Sequence, residues 1–150
     1  MPNQKAAAHH AAAAEHHNQA MQLHRSASRH YLIGKDYAHA AHQALTAHGH
    51  ALLALAEADA ASRLHGAHLD LPQPPPALPE PKSCCAEQHI VAANHHQHAV
   101  EQQAKAGAAC QCGDSAETVD AAARALEHAQ SAVNHSNAAA MLHATTGGAN

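Results

Sequence analysis

Alanine and histidine recur against polar residues with a seven-residue period from Ala6 to Tyr31. Ala6, Ala13, Ala20 and Ala27 mark one position. Three and four residues after each stands a pair: His9 and His10, His16 and His17, Leu23 and His24, His30 and Tyr31. On an α-helix these positions form one stripe, with Glu15, Asn18, Gln22, Arg25 and Arg29 opposite. The pattern is a coiled-coil-like seam in which histidine stands where leucine would. It predicts a first helix over about Lys5 to Leu32, ended at Gly34, a residue suited to the left-handed turn after a helix. Asp36 is a cap for a second helix, from Tyr37 to about Leu64, with Ala38, Ala41, Leu45, His48, Leu52 and Leu55 along its inner face and Gly66 as terminator.

Between 71 and 81 stand Pro72, Pro74, Pro75, Pro76, Pro79 and Pro81, which remove backbone donors and favour an extended, semi-rigid spacer. Beyond it the pattern restarts. A shift of 79 residues aligns Glu15-His16-His17 with Asn94-His95-His96 and Gly34 with Gly113; past the turn the shift becomes 81 and pairs Leu45 with Leu126 and Leu52 with Val133. The chain reads as an internal duplication, with helix three over about Ser83 to Ala109, helix four over about Ala116 to Ala144, and a fraying tail from Thr145. The expected fold is all-α and forms one domain. Two αα-hairpins, 1–70 and 83–150, are joined by the linker 71–82 into an up-down-up-down four-helix bundle, with the linker at one end and both turns at the other.

Composition sharpens this picture. Of 150 residues 42 are alanine and none is Phe or Trp, so the core is made largely of methyl groups and the helices must approach closely to bury any area. Nineteen histidines titrate near neutrality, so stability should fall as pH drops toward 5 if the stripe is buried or metal-bound. A formal charge of −4 gives no basic footprint for nucleic acid. No apolar run suits a membrane span or a secretory signal, which points to the cytoplasm, or to the periplasm for a processed precursor. The four cysteines read as thiols rather than staples.

Neutral imidazole binds Zn(II), Cu(II) and Ni(II), and a bundle interior can bring three or four donors together from different helices. Equal heights in the expected bundle make a central belt of His16, His17, His95 and His96, with His50 opposite the first pair and His135 opposite the second. A second cluster falls near the first turn, where His30 faces His39 while His24 approaches His42 and His48. A third falls at the linker end, where Cys84 and Cys85 open helix three and approach His143, with His89 one turn further on. The helix N-terminus there favours thiolate. Cys110 and Cys112 lie too far along helix three to bridge to the other pair. Glu-x-x-His, His-Glu-x-x-His, phosphate-binding glycine loops and Gly-x-Ser-x-Gly are all missing, which argues against an enzyme.

The restart around Gly34 and Gly113, followed by Ala-Ala-His-Gln-Ala-Leu-Thr-Ala-His (40–48) and Ala-Ala-Arg-Ala-Leu-Glu-His-Ala (122–129), resembles the small metal-binding proteins of nitrifying bacteria. Ala-Ala-Glu-His-His-Asn-Gln-Ala (13–20) also looks like short Ala-, His- and Glu-rich bacterial helical proteins. The first resemblance implies a His-heptad four-helix bundle that sequesters copper and other divalent ions, and it transfers no fixed ligand set. The proline-rich linker, the four cysteines and the lost rungs Gln102 and Gln103 depart from that pattern. The expected function is non-enzymatic buffering or storage of several Cu, Ni or Zn ions per chain. The alternative is a structural coil that forms homo-oligomers through a pH-sensitive histidine seam.

Overall fold

The structure, a computed structural model, describes residues 2–65 and 84–146. It contains four helices: α1 Pro2–Ile33, α2 Tyr37–Leu64, α3 Cys85–Cys112 and α4 Ser115–Thr146. All regular structure among the described residues is helical, and the helices pack as a four-helix bundle. Local chemistry sets the ends. Gly34 and Gly113 take φ of 74° and 80°, where a Cβ would be strained, and Gly113 closes α3 by donating its N–H to Cys110 O at 3.1 Å. Asp36 caps α2 by accepting from His39 N at 3.1 Å, and Asp114 does the same for Glu117 N at 3.0 Å. Helix α4 continues through Thr145, where fraying was expected; Gly66 and the proline-rich segment lie outside the described residues.

Each hairpin is antiparallel, and α1 packs on α3 to join them. The docking differs from the expected one. His10 meets Gln103, His17 meets His96, His24 meets His89, and Ser28 Oγ donates to Ala86 O, so partners on α3 descend as α1 ascends. Helices α1 and α3 are therefore antiparallel, and along the chain the directions run up, down, down, up. The cyclic order around the bundle is α1, α2, α4, α3, with every neighbouring pair antiparallel and the α2/α4 seam much the sparsest. His65 touches Cys110 at the end where α1 begins, whereas Cys84 packs against the Tyr31 cluster at the other end. The chain thus leaves α2 at one end of the bundle and enters α3 at the other, where a single shared end was expected. With α1 and α3 side by side, parallel docking would align their macrodipoles in the same sense; the antiparallel two-fold through His17 and His96 opposes them, as in every other neighbouring pair of the bundle.

Alanine occupies the contacts. Ala6, Ala13, Ala20 and Ala27 of α1 are fully buried, as are Ala40, Ala47, Ala54 and Ala61 of α2, Ala92, Ala99 and Ala106 of α3, and Ala121, Ala125 and Ala132 of α4. This corrects the expected face of α2. Leu45 and Leu52 are 69% and 51% exposed, and Ala38 is exposed too, because an interface this close admits only methyl groups and turns the larger side chains outward. No described helix is long and apolar enough to cross a membrane.

Candidate functional site: a column of histidines

The α1/α3 seam buries an unbroken file of rings. Tyr31 stacks on His89 at 5.4 Å, His89 on His24 at 5.2 Å, His24 on His96 at 5.5 Å, and His96 lies 5.3 Å from His17. One heptad further, His10 takes the same place beside Gln103 and stacks on His65 at 6.0 Å. His10, His17, His24, His89 and His96 are all at most 1% exposed. The duplication explains the order. The shift of 79 maps His10 onto His89 and His24 onto Gln103, so the His10–Gln103 rung is the image of His89–His24, and His17–His96 lies on the pseudo-dyad.

Within the file the rings meet through Nδ1. His17 and His96 approach at 3.1 Å, as do His24 and His89. Two neutral imidazoles can do this only as opposite tautomers, one donating its Nδ1–H and the other accepting. His10 is fixed as an Nδ1–H donor, since its partner at 2.8 Å is Gln103 Oε1. Its Nε2 is then a bare lone pair. The Nε2 atoms of His10, His24 and His96 are buried with no hydrogen-bond partner among the described residues. A bare acceptor is cheaper to bury than an N–H, so His24 and His96 are best assigned as the Nδ1–H donors of their pairs.

Burial keeps these rings neutral. Desolvation lowers His17 to about 4, His24 to about 3, His89 to about 4 and His96 to about 2, with neighbouring rings adding to the effect. His10 is lowered too, against the pull of its bond to Gln103.

Flanking pairs sit between the helices of each hairpin. His16 Nδ1 lies 3.2 Å from His50 Nδ1, and His95 Nδ1 lies 3.3 Å from His128 Nδ1. The expected belt therefore exists as three separate pairs at one height, His16 with His50, His17 with His96, and His95 with His128. His135 stacks on His95 at 5.5 Å but donates its Nδ1–H to Gln88 Oε1 at 2.7 Å. Burial first, then neighbouring rings, lowers His95 and His128; burial alone lowers His135.

Near the first turn, His30 and His39 meet edge to face at 5.0 Å, as expected. His48 is half-buried and its charge would disfavour protonation of His24 and His96, whereas His42 is exposed, and the ring that meets His24 is His89. At the other predicted cluster, Cys85 is buried beside Tyr31, and its Sγ donates to Ala139 O, one turn before His143. His143 Nδ1 is bonded to Tyr31 Oη at 2.7 Å. The thiolate expected there is not what the environment favours, because burial raises the Cys85 thiol and outweighs the helix terminus. Cys84 is half-buried and caps α3 through its backbone N–H, which donates to Glu87 Oε2 at 3.3 Å. All four cysteines are free.

Sequence reasoning left several of these residues without a role. His128 stands seven residues before His135, so the heptad could have supplied it. Tyr31, His10 and Gln103 sit on the stripe but were given no place in a site, and His65 and His98, which stacks on His128 at 4.9 Å, carried no periodic signal.

The donor set suits transition-metal ions. A tetrahedral ion with ligands at about 2.0–2.1 Å separates neighbouring nitrogens by about 3.3 Å, and the Nδ1 pairs already stand 3.1–3.3 Å apart. Among the described residues no three His, Cys, Asp or Glu side chains are placed to hold an ion together, so the preformed unit is a pair. No protein-family model, curated protein or solved structure matches this chain.

Proposed function

We propose that the protein binds transition-metal ions, Cu, Ni or Zn, through its buried and flanking histidines, and buffers or stores them without catalysing a reaction. The observation that carries this reading is the set of buried, unpartnered Nε2 atoms on His10, His24 and His96, in an environment that holds imidazole neutral. A neutral imidazole lone pair is a metal donor, and leaving one unpaired in the interior costs stability that ligation would recover. The Nδ1 pairs add a second donor geometry. Exchanging an Nδ1–H···Nδ1 bond for two ligand bonds requires one ring to change tautomer and releases no proton. The resemblance to His-heptad metal-binding bundles supports the same reading.

The test is calorimetric titration of chelator-stripped protein with Cu(II), Ni(II) and Zn(II), beside a variant with His16, His17, His95 and His96 changed to Ala. Sub-micromolar binding by the native chain, weakened in the variant and accompanied by a rise in Tm, is the expected result. Absence of binding, with Tm unchanged at saturating metal, refutes it.

A second reading has its own support. Leu32, Ile33, Leu45, Leu52 and Leu53 are at least half exposed, a surface that suits a structural coil associating with its own kind. Light scattering on chelator-treated protein separates the two, because this reading requires association without metal.

A further inference from the structure

Rungs of the α1/α3 column recur every heptad: His24 with His89, His17 with His96, His10 with Gln103, and last Asn3 with Cys110. At that last rung α1 offers no ring. Cys110 donates its Sγ–H to the backbone oxygen of Asn3 at 3.2 Å, and His65, at the C-terminal cap of α2, closes the end. Its Nε2 lies 3.6 Å from the same sulfur while its ring stacks on His10 at 6.0 Å. The opposite end of the column is built alike. The shift of 79 carries Tyr31 onto Cys110, and Tyr31 Oη is also met by a histidine of the other hairpin, His143, at 2.7 Å. One end therefore closes on a phenol and an imidazole, the other on a thiol and an imidazole. Only the second pair contains a soft donor.

We propose that Cys110 Sγ and His65 Nε2 form a two-donor site for a single Cu(I) ion at this end of the column. The site uses residues separate from the histidine pairs above, so it can fail while they still bind divalent ions. The number of donors selects the ion. Among the described residues no third His, Cys, Asp or Glu is placed to join such a pair. Zn(II) needs about four ligands, whereas Cu(I) favours thiolate and is satisfied by two donors in a line. Charge points the same way. Cys110 is buried against Ala6 and Ala7, and a thiolate with a monovalent cation adds no net charge there, while a divalent ion would leave one positive charge uncompensated. On loading, the S–H bond of Cys110 breaks, its proton leaves to solvent, and S–Cu and N–Cu bonds form without any change in the oxidation state of the metal. His65 carries its proton on Nδ1 so that Nε2 presents a lone pair. With bonds of about 2 Å, a linear S–Cu–N unit spans about 4 Å, so half-buried His65 has only to draw back slightly from its present 3.6 Å.

The test is an anaerobic titration of the full, reduced apo chain with Cu(I) held by a chromogenic Cu(I) chelator, followed by copper K-edge X-ray absorption on the complex at one equivalent. The spectrum should show one sulfur and one nitrogen neighbour. Cys110→Ser and His65→Ala should each weaken the first equivalent at least about 100-fold, because even an outer partner of a metal ligand is worth about 10–100-fold. Cys112→Ser, at an exposed thiol two residues away, should leave it unchanged. Circular dichroism at 222 nm on each apo variant checks that the bundle is retained, and the spectrum of the native complex needs no variant at all. Two sulfur neighbours, nitrogen neighbours alone, His65→Ala binding as the native chain does, or no Cu(I) bound by the native chain each overturns the site. The calorimetric titration with divalent ions tests the histidine reading separately, and Cys110→Ser should leave its result intact.

Discussion

Acidification from pH 7 to 5 is the perturbation that most directly interrogates the buried column. In the unfolded chain each histidine titrates near 6.5; folded, His17, His24, His89 and His96 stand at about 4, 3, 4 and 2. Their folded values are depressed, so between these limits the unfolded state binds protons that the native state refuses. Stability is therefore full above about pH 6.5 and falls as pH drops toward the folded values. At pH 5 each ring has lost about 1.5 pH units, or about 2 kcal/mol. Four rings lose about 8 kcal/mol, which is comparable to the whole stability of a small domain, about 5–15 kcal/mol. Urea unfolding followed at 222 nm from pH 8 to 4.5 should show ΔG dropping by about 5 kcal/mol per unit near pH 5.5, the slope of nearly four protons. The metal-free bundle should lose its helices near pH 5. A slope of one proton or less would show that the rings titrate as in water and that the column is solvated.

Further expectations concern single positions. His24→Gln copies the rung that Gln103 already makes with His10, so it should remove about 2 kcal/mol of the loss at pH 5, read from the same unfolding series. Ala13→Leu, at a fully buried helix contact, should cost about 1–3 kcal/mol and lower Tm, whereas Ala8→Leu on the exposed face should change little. Asp36→Ala deletes the acceptor of His39 N–H and should cost about 1 kcal/mol by denaturant unfolding. Exposed Cys112 should be alkylated well before buried Cys85 and Cys110, as peptide mass spectrometry over a time course would show.

The helices were legible because their signals are local. The heptad of Ala6, Ala13, Ala20 and Ala27, the cap at Asp36 and the glycines at 34 and 113 each act within a few residues, and the ends of α2 follow them closely. Docking was not legible, because a duplicated seam puts His17 level with His96 whether α1 and α3 run parallel or antiparallel. Only the outer rungs differ, and there sequence offers His24 no reason to prefer His89 over Gln103. The inner face of α2 was misread because hydrophobicity ranks leucine first, while the spacing between helices, a property of the assembled bundle, admits only alanine. The Nδ1 pairing depends on side-chain rotamers, which periodicity does not encode.

The pseudo-dyad through His17 and His96 makes this chain a dimer written in one polypeptide. In a true two-chain assembly every substitution is imposed twice, and rungs can only be gained or lost in mirrored couples. Fusion lifts that constraint, even on the axis, where His17 and His96 are separate positions. Gln103 shows the freedom in use: one end of the ladder ends at an amide while its mirror keeps a ring, so the column has acquired a head and a tail. An ion or a proton moving along it would meet a different chemical sequence in each direction, an asymmetry that no homodimer of identical hairpins could build.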